Sequence, residues 1–251
     1  MSALSLENLA VALGETPVIA DISLRVARGE FVSILGPSGC GKSTLFRLLT
    51  GAIRPDRGEI RVEDPVAGAA HDTFAFMPQR DALMPWRRII DNVTLGLEVQ
   101  GLGREAARTR VRPLFAAFGL EGFEQHYPAQ LSGGMRQRAA LLRTIVQDRP
   151  ILLLDEPFGA LDALTRAGMQ RFIEHRWQEA RWTTVLVTHD VHEAVALSDR
   201  IYVLTRRPAR IIANFDVPWP RPRLGSPLPP EADRLEADLL DTLLTQTGDP
   251  S

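Results

Sequence analysis

Residues 31–43 read FVSIL-GPSGCGKS: the short run Phe31 to Leu35 enters a loop carrying Gly36, Gly39 and Gly41 and closing on Lys42 and Ser43. The run is apolar enough to be a buried strand, and Lys42 to Ile53 reads as a helix with Leu45, Leu48 and Leu49 on one face. A G-x-x-x-x-G-K-[ST] pattern has physical meaning in that setting, directly after a strand and before a helix. The glycines let backbone amides turn inward around phosphate oxygens, and the helix N-terminus adds partial positive charge. Lys42 brings an ammonium to the β- and γ-phosphates. Ser43 offers a hydroxyl to Mg²⁺, and Thr44 a second one nearby. Gly36, Pro37, Ser38, Gly39, Cys40, Gly41, Lys42, Ser43 and Thr44 are therefore expected to hold the phosphates of ATP with Mg²⁺.

Composition sharpens this reading. The 29 basic residues comprise 28 arginines and one lysine, Lys42. A chain that uses arginine everywhere else needs the compact ammonium at this one position. Cys40, the only cysteine, excludes an intrachain disulfide. It is expected either as a small residue that fits the loop or as a thiol acidified by the surrounding amides and Lys42.

Outward from the loop, Leu4 to Val11, Ile22 to Val26, Thr73 to Met77, Ile151 to Leu154, Thr184 to Thr188 and Arg200 to Leu204 read as strands. Arg54 to Gly58 reads as a turn. Arg104 to Gln147 is mostly helical, broken at Pro128 and at Gly133-Gly134. Strands alternating with helices predict an α/β core with a parallel sheet. An inserted helical lobe is expected at about 80–147, within a nucleotide-binding domain over 1–214. The remainder, 215–251, is expected as a tail: Asp216 to Pro230 is proline-rich and irregular, and Glu231 to Thr247 is a helix packing Leu235, Leu239 and Leu243 onto its own domain.

A second constellation lies at Ile151 to Pro157, ILLLDEP, where four apolar residues deliver two carboxylates to a strand end. Ligands of open α/β sheets bind at the carboxyl ends of strands. Asp155 is expected to hold Mg²⁺ through its water shell and Glu156 to orient and polarise an attacking water. Neighbouring strand residues point to opposite faces, so the two carboxylates should do different jobs.

Leu131 to Arg138, LSGGMRQR, resembles the signature motif of ATP-binding-cassette (ABC) ATPases. With it, the resemblance covers about Leu4 to Arg210. Gln79, after FAFMP, matches that family's Q-loop glutamine; Gly159 to Asp162, GALD, its D-loop; and His189, in VTHD, its switch histidine. Ser132 is a good N-cap for the helix that follows, so that helix end can bind an anion. The resemblance implies that Ser132, Gly133 and Gly134 face the γ-phosphate held by a partner subunit, so that ATP glues two copies at a two-fold interface. It also implies that His189 contacts the γ-phosphate near Glu156, and that Gln79 senses the γ-phosphate or Mg²⁺ and links the two lobes. His71, His126, His175 and His192 are expected on the surface or in packing.

The family's adenine-stacking aromatic falls on Leu13, before Gly14. Leucine packs against a base without ring stacking, which predicts looser base selectivity. Gln79 to Glu98, QRDALMPWRRIIDNVTLGLE, is similar to importer ATPases for nitrate, aliphatic sulfonates, taurine and thiamine-precursor pyrimidines. Leu83, Met84 and Trp86 either anchor this loop to the helical lobe or form a docking groove for a helix of a membrane subunit. No stretch reaches the roughly 20 apolar residues of a membrane span, no signal peptide is visible, and the net charge of −2 disfavours general nucleic-acid binding. The resemblance thus implies a peripheral importer ATPase, a dimer on the cytoplasmic face of the inner (plasma) membrane. Its partners would be two permease subunits and, indirectly, a periplasmic binding protein. An exporter ATPase and a soluble ABC ATPase acting on nucleic acid or ribosomes remain alternatives at this stage.

Overall fold

The computed structural model describes residues 2–63, 73–225 and 227–245; His71 and the expected helix residues Gln246 and Thr247 lie outside them. Strands β1 (Ser2–Leu13) and β2 (Thr16–Ala27) form an antiparallel hairpin, and β4 (Arg57–Val62) pairs antiparallel with β1. Strands β3 (Phe31–Leu35), β5 (Phe74–Met77), β6 (Ile151–Asp155), β7 (Thr183–Thr188) and β8 (Arg200–Leu204) make the parallel core. β3, β6 and β7 are buried at every position, as expected for strands covered on both faces.

Strand β9 (Ala209–Asp216) was not anticipated from the sequence. It runs antiparallel to β8 and parallel to β2, and so fuses the two regions into one nine-stranded sheet, β4-β1-β2-β9-β8-β3-β7-β6-β5. After the buried Ala209 its residues alternate between exposed and half-buried, a pattern quieter than the continuous apolar runs of the core. β4 starts inside the expected RPDRG turn. Gly58 backs so closely onto the Glu7 and Asn8 carbonyls that an added Cβ would lie 2.4 Å away, while Asp56 Oδ2 accepts from the Ala12 amide at 2.7 Å.

The helix after the loop, α1 (Lys42–Leu49), is shorter than expected. Thr50 bonds back to the Phe46 carbonyl at 2.9 Å, and Gly51 turns left-handed. Between β5 and β6 the chain forms α2 (Ile89–Val93), α3 (Leu95–Val99), α4 (Arg104–Val111), α5 (Leu114–Ala117) and α6 (Gly133–Ile145). Their apolar faces, including Ile90, Val111, Phe115 and Leu142, share one core with Met77, Leu152 and Leu154 of the sheet. α7 (Ala163–Ala180) and α8 (Val191–Leu197) follow β6 and β7.

The last helix, α9 (Pro230–Thr245), buries Leu239 completely and Leu235 and Leu243 in part against Val191, Val195, Ile201 and Val203. The segment before it is irregular but held by hydrogen bonds. The buried Arg223 guanidinium donates to the Val217 and Trp219 carbonyls, and Glu174 accepts from the Arg223 and Leu224 amides at 2.7 and 3.0 Å.

Candidate functional site

The phosphate loop joins β3 to α1. Gly41 has φ +124°, and an added Cβ would meet Val18 Cγ1 at 3.0 Å and the Val18 carbonyl at 3.3 Å, so only glycine lets the loop close against β2 here. Lys42 is buried, and its Nζ donates to the Gly36 and Pro37 carbonyls at 2.7 and 3.0 Å. The ammonium is thereby folded over the loop, facing a pocket of about 230 Å³ lined by Ser38, Gly39, Gly41, Lys42, Ser43, Thr44, Gln79, Glu156 and Arg207. Cys40 is buried, and burial raises its thiol pKa despite the opposing effect of Lys42 and the loop amides. Of the two readings of Cys40, the direction of this shift favours the small residue that fits the loop over the acidified thiol.

Asp155, the last residue of β6, is buried and hydrogen-bonded to Ser43. Burial raises its pKa, opposed by that hydrogen bond and by Lys42. Glu156 leaves the strand in a left-handed conformation, φ +49°. This backbone turn, rather than strand alternation, separates the two carboxylates. The turn is fixed on both sides: the Glu156 amide donates to the Val187 carbonyl at 2.8 Å, and Gln137 Nε2 of α6 donates to the Glu156 and Pro157 carbonyls at 3.2 Å. A non-glycine residue held left-handed by its surroundings is the kind of strain that collects at working sites.

The Glu156 carboxylate accepts from Gln79 Nε2 at 3.1 Å and lies 3.4 Å from His189 Nδ1. Three residues distant in sequence thus converge beside the phosphate loop, with Gln79 following β5, Glu156 following β6 and His189 following β7. A carboxylate so placed can accept a proton from a water, and the amide and imidazole can orient it. His189 itself is exposed.

Ser132, Gly133 and Gly134 are not brought into this pocket. Ser132 caps α6, accepting from the Met135 amide at 3.2 Å, and is exposed together with Gly133. Gly134 backs onto Ala160 and Leu161, 3.5 Å from where its Cβ would be. Asp162 then caps α7 by accepting from Thr165 at 3.0 Å. The body of α6 is tied to the segment after Gln79: Arg136 Nε pairs with Asp81 at 3.0 Å, and Arg143 donates to the Asp81 and Ala82 carbonyls at 2.6 and 2.7 Å.

The Leu83–Trp86 stretch divides. Leu83 is buried and Met84 half-buried, and Asn92, wholly buried, bonds Met84 through both its amide and its carbonyl, at 2.7 and 3.1 Å. Trp86 is left 74% exposed. Leu13 ends β1 at the hairpin turn, opposite Thr16, and is exposed. Of the remaining histidines, His126 packs on Phe123, His175 lies near Glu179, and His192 bonds Glu236 of α9 at 2.8 Å.

Two residues at the site escaped sequence reasoning. Glu193 of α8 lies fully inside, hydrogen-bonded to Thr188 and Gln170, and burial pushes its pKa up to about 7. Asp190 and Glu193 have the three-residue spacing of a capping pair, a signal that could have found it. Arg207, in the turn between β8 and β9, lines the phosphate-loop pocket, but one arginine among 28 carries no signal of its own.

A glycine-rich anion cradle at the head of a parallel sheet, with a carboxylate held between a glutamine and a histidine beside it, defines a phosphate-loop ATPase on the ATP-binding-cassette plan. Residues 19–159 match the ABC transporter family, more than half of the chain, and the protein belongs to that family as an ATP-binding, ATP-hydrolysing member. It is 43% identical to the aliphatic sulfonates import ATP-binding protein SsuB of Ralstonia nicotianae, over 99% of this chain and 84% of that protein. It is also 43% identical to the formylaminopyrimidine import ATP-binding protein ThiZ of Halalkalibacterium halodurans, over 86% of this chain and 84% of that protein. Among solved structures it is similar to the dimeric ATP-binding cassette MJ0796 in a post-hydrolysis state bound to ADP and Pi. That likeness has a TM-score of 0.77 and 29% identity, and it covers 86% of this chain and 99% of that one.

Proposed function

We propose that this chain is the ATP-hydrolysing subunit of an importer for a small organic solute, of the sulfonate or thiamine-precursor type named for its relatives. Two copies would close on two ATP molecules and drive a pair of permease subunits at the cytoplasmic face of the membrane. The observation that carries the proposal is the convergence of Gln79, Glu156 and His189 beside the phosphate loop, with the Glu156 carboxylate 3.1 Å from one and 3.4 Å from the other.

Lys42 and the backbone amides of the loop residues other than Pro37, between Gly36 and Thr44, bind the phosphates. Glu156 holds the attacking water in line and takes its proton, while Gln79 and His189 fix the carboxylate and respond to the γ-phosphate. Asp155 and Ser43, hydrogen-bonded to each other, make a donor set suited to Mg²⁺, which is bound by one or two carboxylates, hydroxyls and substrate phosphates rather than by an all-protein cage. When bound, the ion would neutralise charge on the phosphates. Ser132, Gly133 and Gly134, exposed and outside the pocket, would complete the site of a second copy.

Closure would be transmitted through α6. Arg136 and Arg143 tie this helix to Asp81 and Ala82, two and three residues past Gln79, and the same stretch leads to the exposed Trp86. Trp86 is the natural contact for a permease helix, and Leu83 and Asn92 are the anchors that hold its loop.

Gentle purification from native membranes, with identification of the co-purifying chains, tests the proposal. An integral membrane permease supports it, and uptake of an aliphatic sulfonate or pyrimidine by the reconstituted complex would fix the solute. Recovery of a soluble protein with ribosomes or nucleic acid would overturn the importer reading and leave the ATPase chemistry standing.

A further inference from the structure

The turn between β8 and β9 holds one cation against the phosphate loop. It is firmly built: the Thr205 amide donates to the Arg210 carbonyl at 2.9 Å, Thr205 Oγ1 accepts from the Arg210 amide at 2.9 Å, and the same hydroxyl lies 2.8 Å from the Arg206 carbonyl. The turn is seated on both flanks of the loop. Leu204 packs on Gly36, with Cβ 3.1 Å from where a Gly36 side chain would begin. Ala209 pairs with Ile19 of β2, next to the Val18 that covers Gly41.

From this seat Arg207 lines the pocket of Ser38, Gly39, Lys42, Ser43 and Thr44. Among the described residues its guanidinium has no hydrogen-bond or ion-pair partner. The other cation there, Lys42, is spread over two carbonyls, and the pocket also carries the Glu156 carboxylate. A polyphosphate entering it brings several negative charges, more than one ammonium balances, and a guanidinium fork matches phosphate oxygens in pairs.

We propose that Arg207 is a second cationic ligand of the nucleotide phosphates, reaching over the phosphate loop from the β8–β9 turn. This rests on the reading of the pocket as the ATP site and adds a residue that none of the motifs contains.

Binding titrations with ATP and with inorganic tripolyphosphate, at fixed salt, test it. Arg207→Gln should weaken both by about tenfold, the scale of one lost charge-assisted contact. Arg207→Lys, which keeps the charge but loses the fork, should weaken both by about threefold, and it carries the test if the glutamine variant does not fold. Arg206→Glu, one residue away and outside the pocket lining, should change either constant by less than about twofold, whereas Arg207→Glu should exceed the loss of the glutamine variant. Unchanged affinities in the Arg207 variants would overturn the proposal. So would a loss confined to ATP, which places the contact on the base or ribose, or equal losses for the two glutamate variants, which reduce the effect to general charge. Failure of the unaltered protein to bind either ligand would instead remove the ATP-site reading itself.

Discussion

The chain offers two helix N-termini to an anion, and they are built differently. That of α1 has no side-chain N-cap, Gly41 preceding it, and Lys42, Ser43, Gln79 and Glu156 are gathered around one pocket beside it. That of α6 is capped by Ser132, is exposed and faces none of those groups. On the proposed function the first is a binding site within one chain, and the second is a surface that a second copy would complete. A helix end without a side-chain cap, set in a pocket, is open to phosphate, whereas one that is exposed and glycine-lined beside Ala160 and Leu161 suits a ligand presented from outside. Hydrolysis should therefore need both ends, whereas nucleotide capture needs only the first.

Substitutions separate the two ends. The largest effect is expected at Glu156: Glu156→Gln should lower ATP turnover about 10²–10³-fold, the scale of a lost general base, and leave ATP binding intact by equilibrium titration. Ser132→Arg should lower turnover by a factor on the order of 10² through exclusion of the second copy, while the monomer binds ATP within about twofold of the unaltered protein. Loss of monomer binding in the Ser132 variant would erase the contrast between the two ends.

A smaller effect concerns the floor of the site. Glu193 has a pKa of about 7 in the folded protein against an ordinary 4.5. The folded state therefore retains this proton at pH values where the unfolded chain has released it. The contribution to stability is present in full below about pH 4.5 and is lost as pH rises through about 7. Glu193→Gln should remove about 1–3 kcal/mol of the fall in stability between pH 5 and 7.5, measured by denaturant unfolding at each pH. An unchanged slope would show that Glu193 titrates normally. The smallest change is expected at Leu13: Leu13→Tyr should tighten ATP by about threefold to tenfold through ring stacking and raise the preference over GTP. An unaltered protein that already prefers ATP strongly would count against loose base selectivity.

The same contrast explains what the sequence made legible. The α1 end was readable because its parts are contiguous and chemically unusual: one lysine in the chain, three glycines at fixed spacing, and an apolar strand in front. The parallel strands were readable because burial on both faces leaves uninterrupted apolar runs. β9 was missed because it is half-exposed and alternates, although it welds the hairpin to the core. The convergence of Gln79, Glu156 and His189 was reached through family resemblance, since spacing over more than a hundred residues says nothing of distance. Glu193 and Arg207 were missed for opposite reasons: the first hides its role in burial, and the second is one of many arginines. Cys40 stayed open between two readings because proximity to Lys42 favours acidification, while burial, which no local pattern encodes, opposes it and dominates.

The most direct test of the composite site is the mass in solution of Glu156→Gln with saturating MgATP, measured by light scattering on a sizing column. The account predicts a species of twice the 27.8 kDa chain mass that reverts to monomer when Ser132→Arg is added. A monomer that binds MgATP fully and stays single would contradict it.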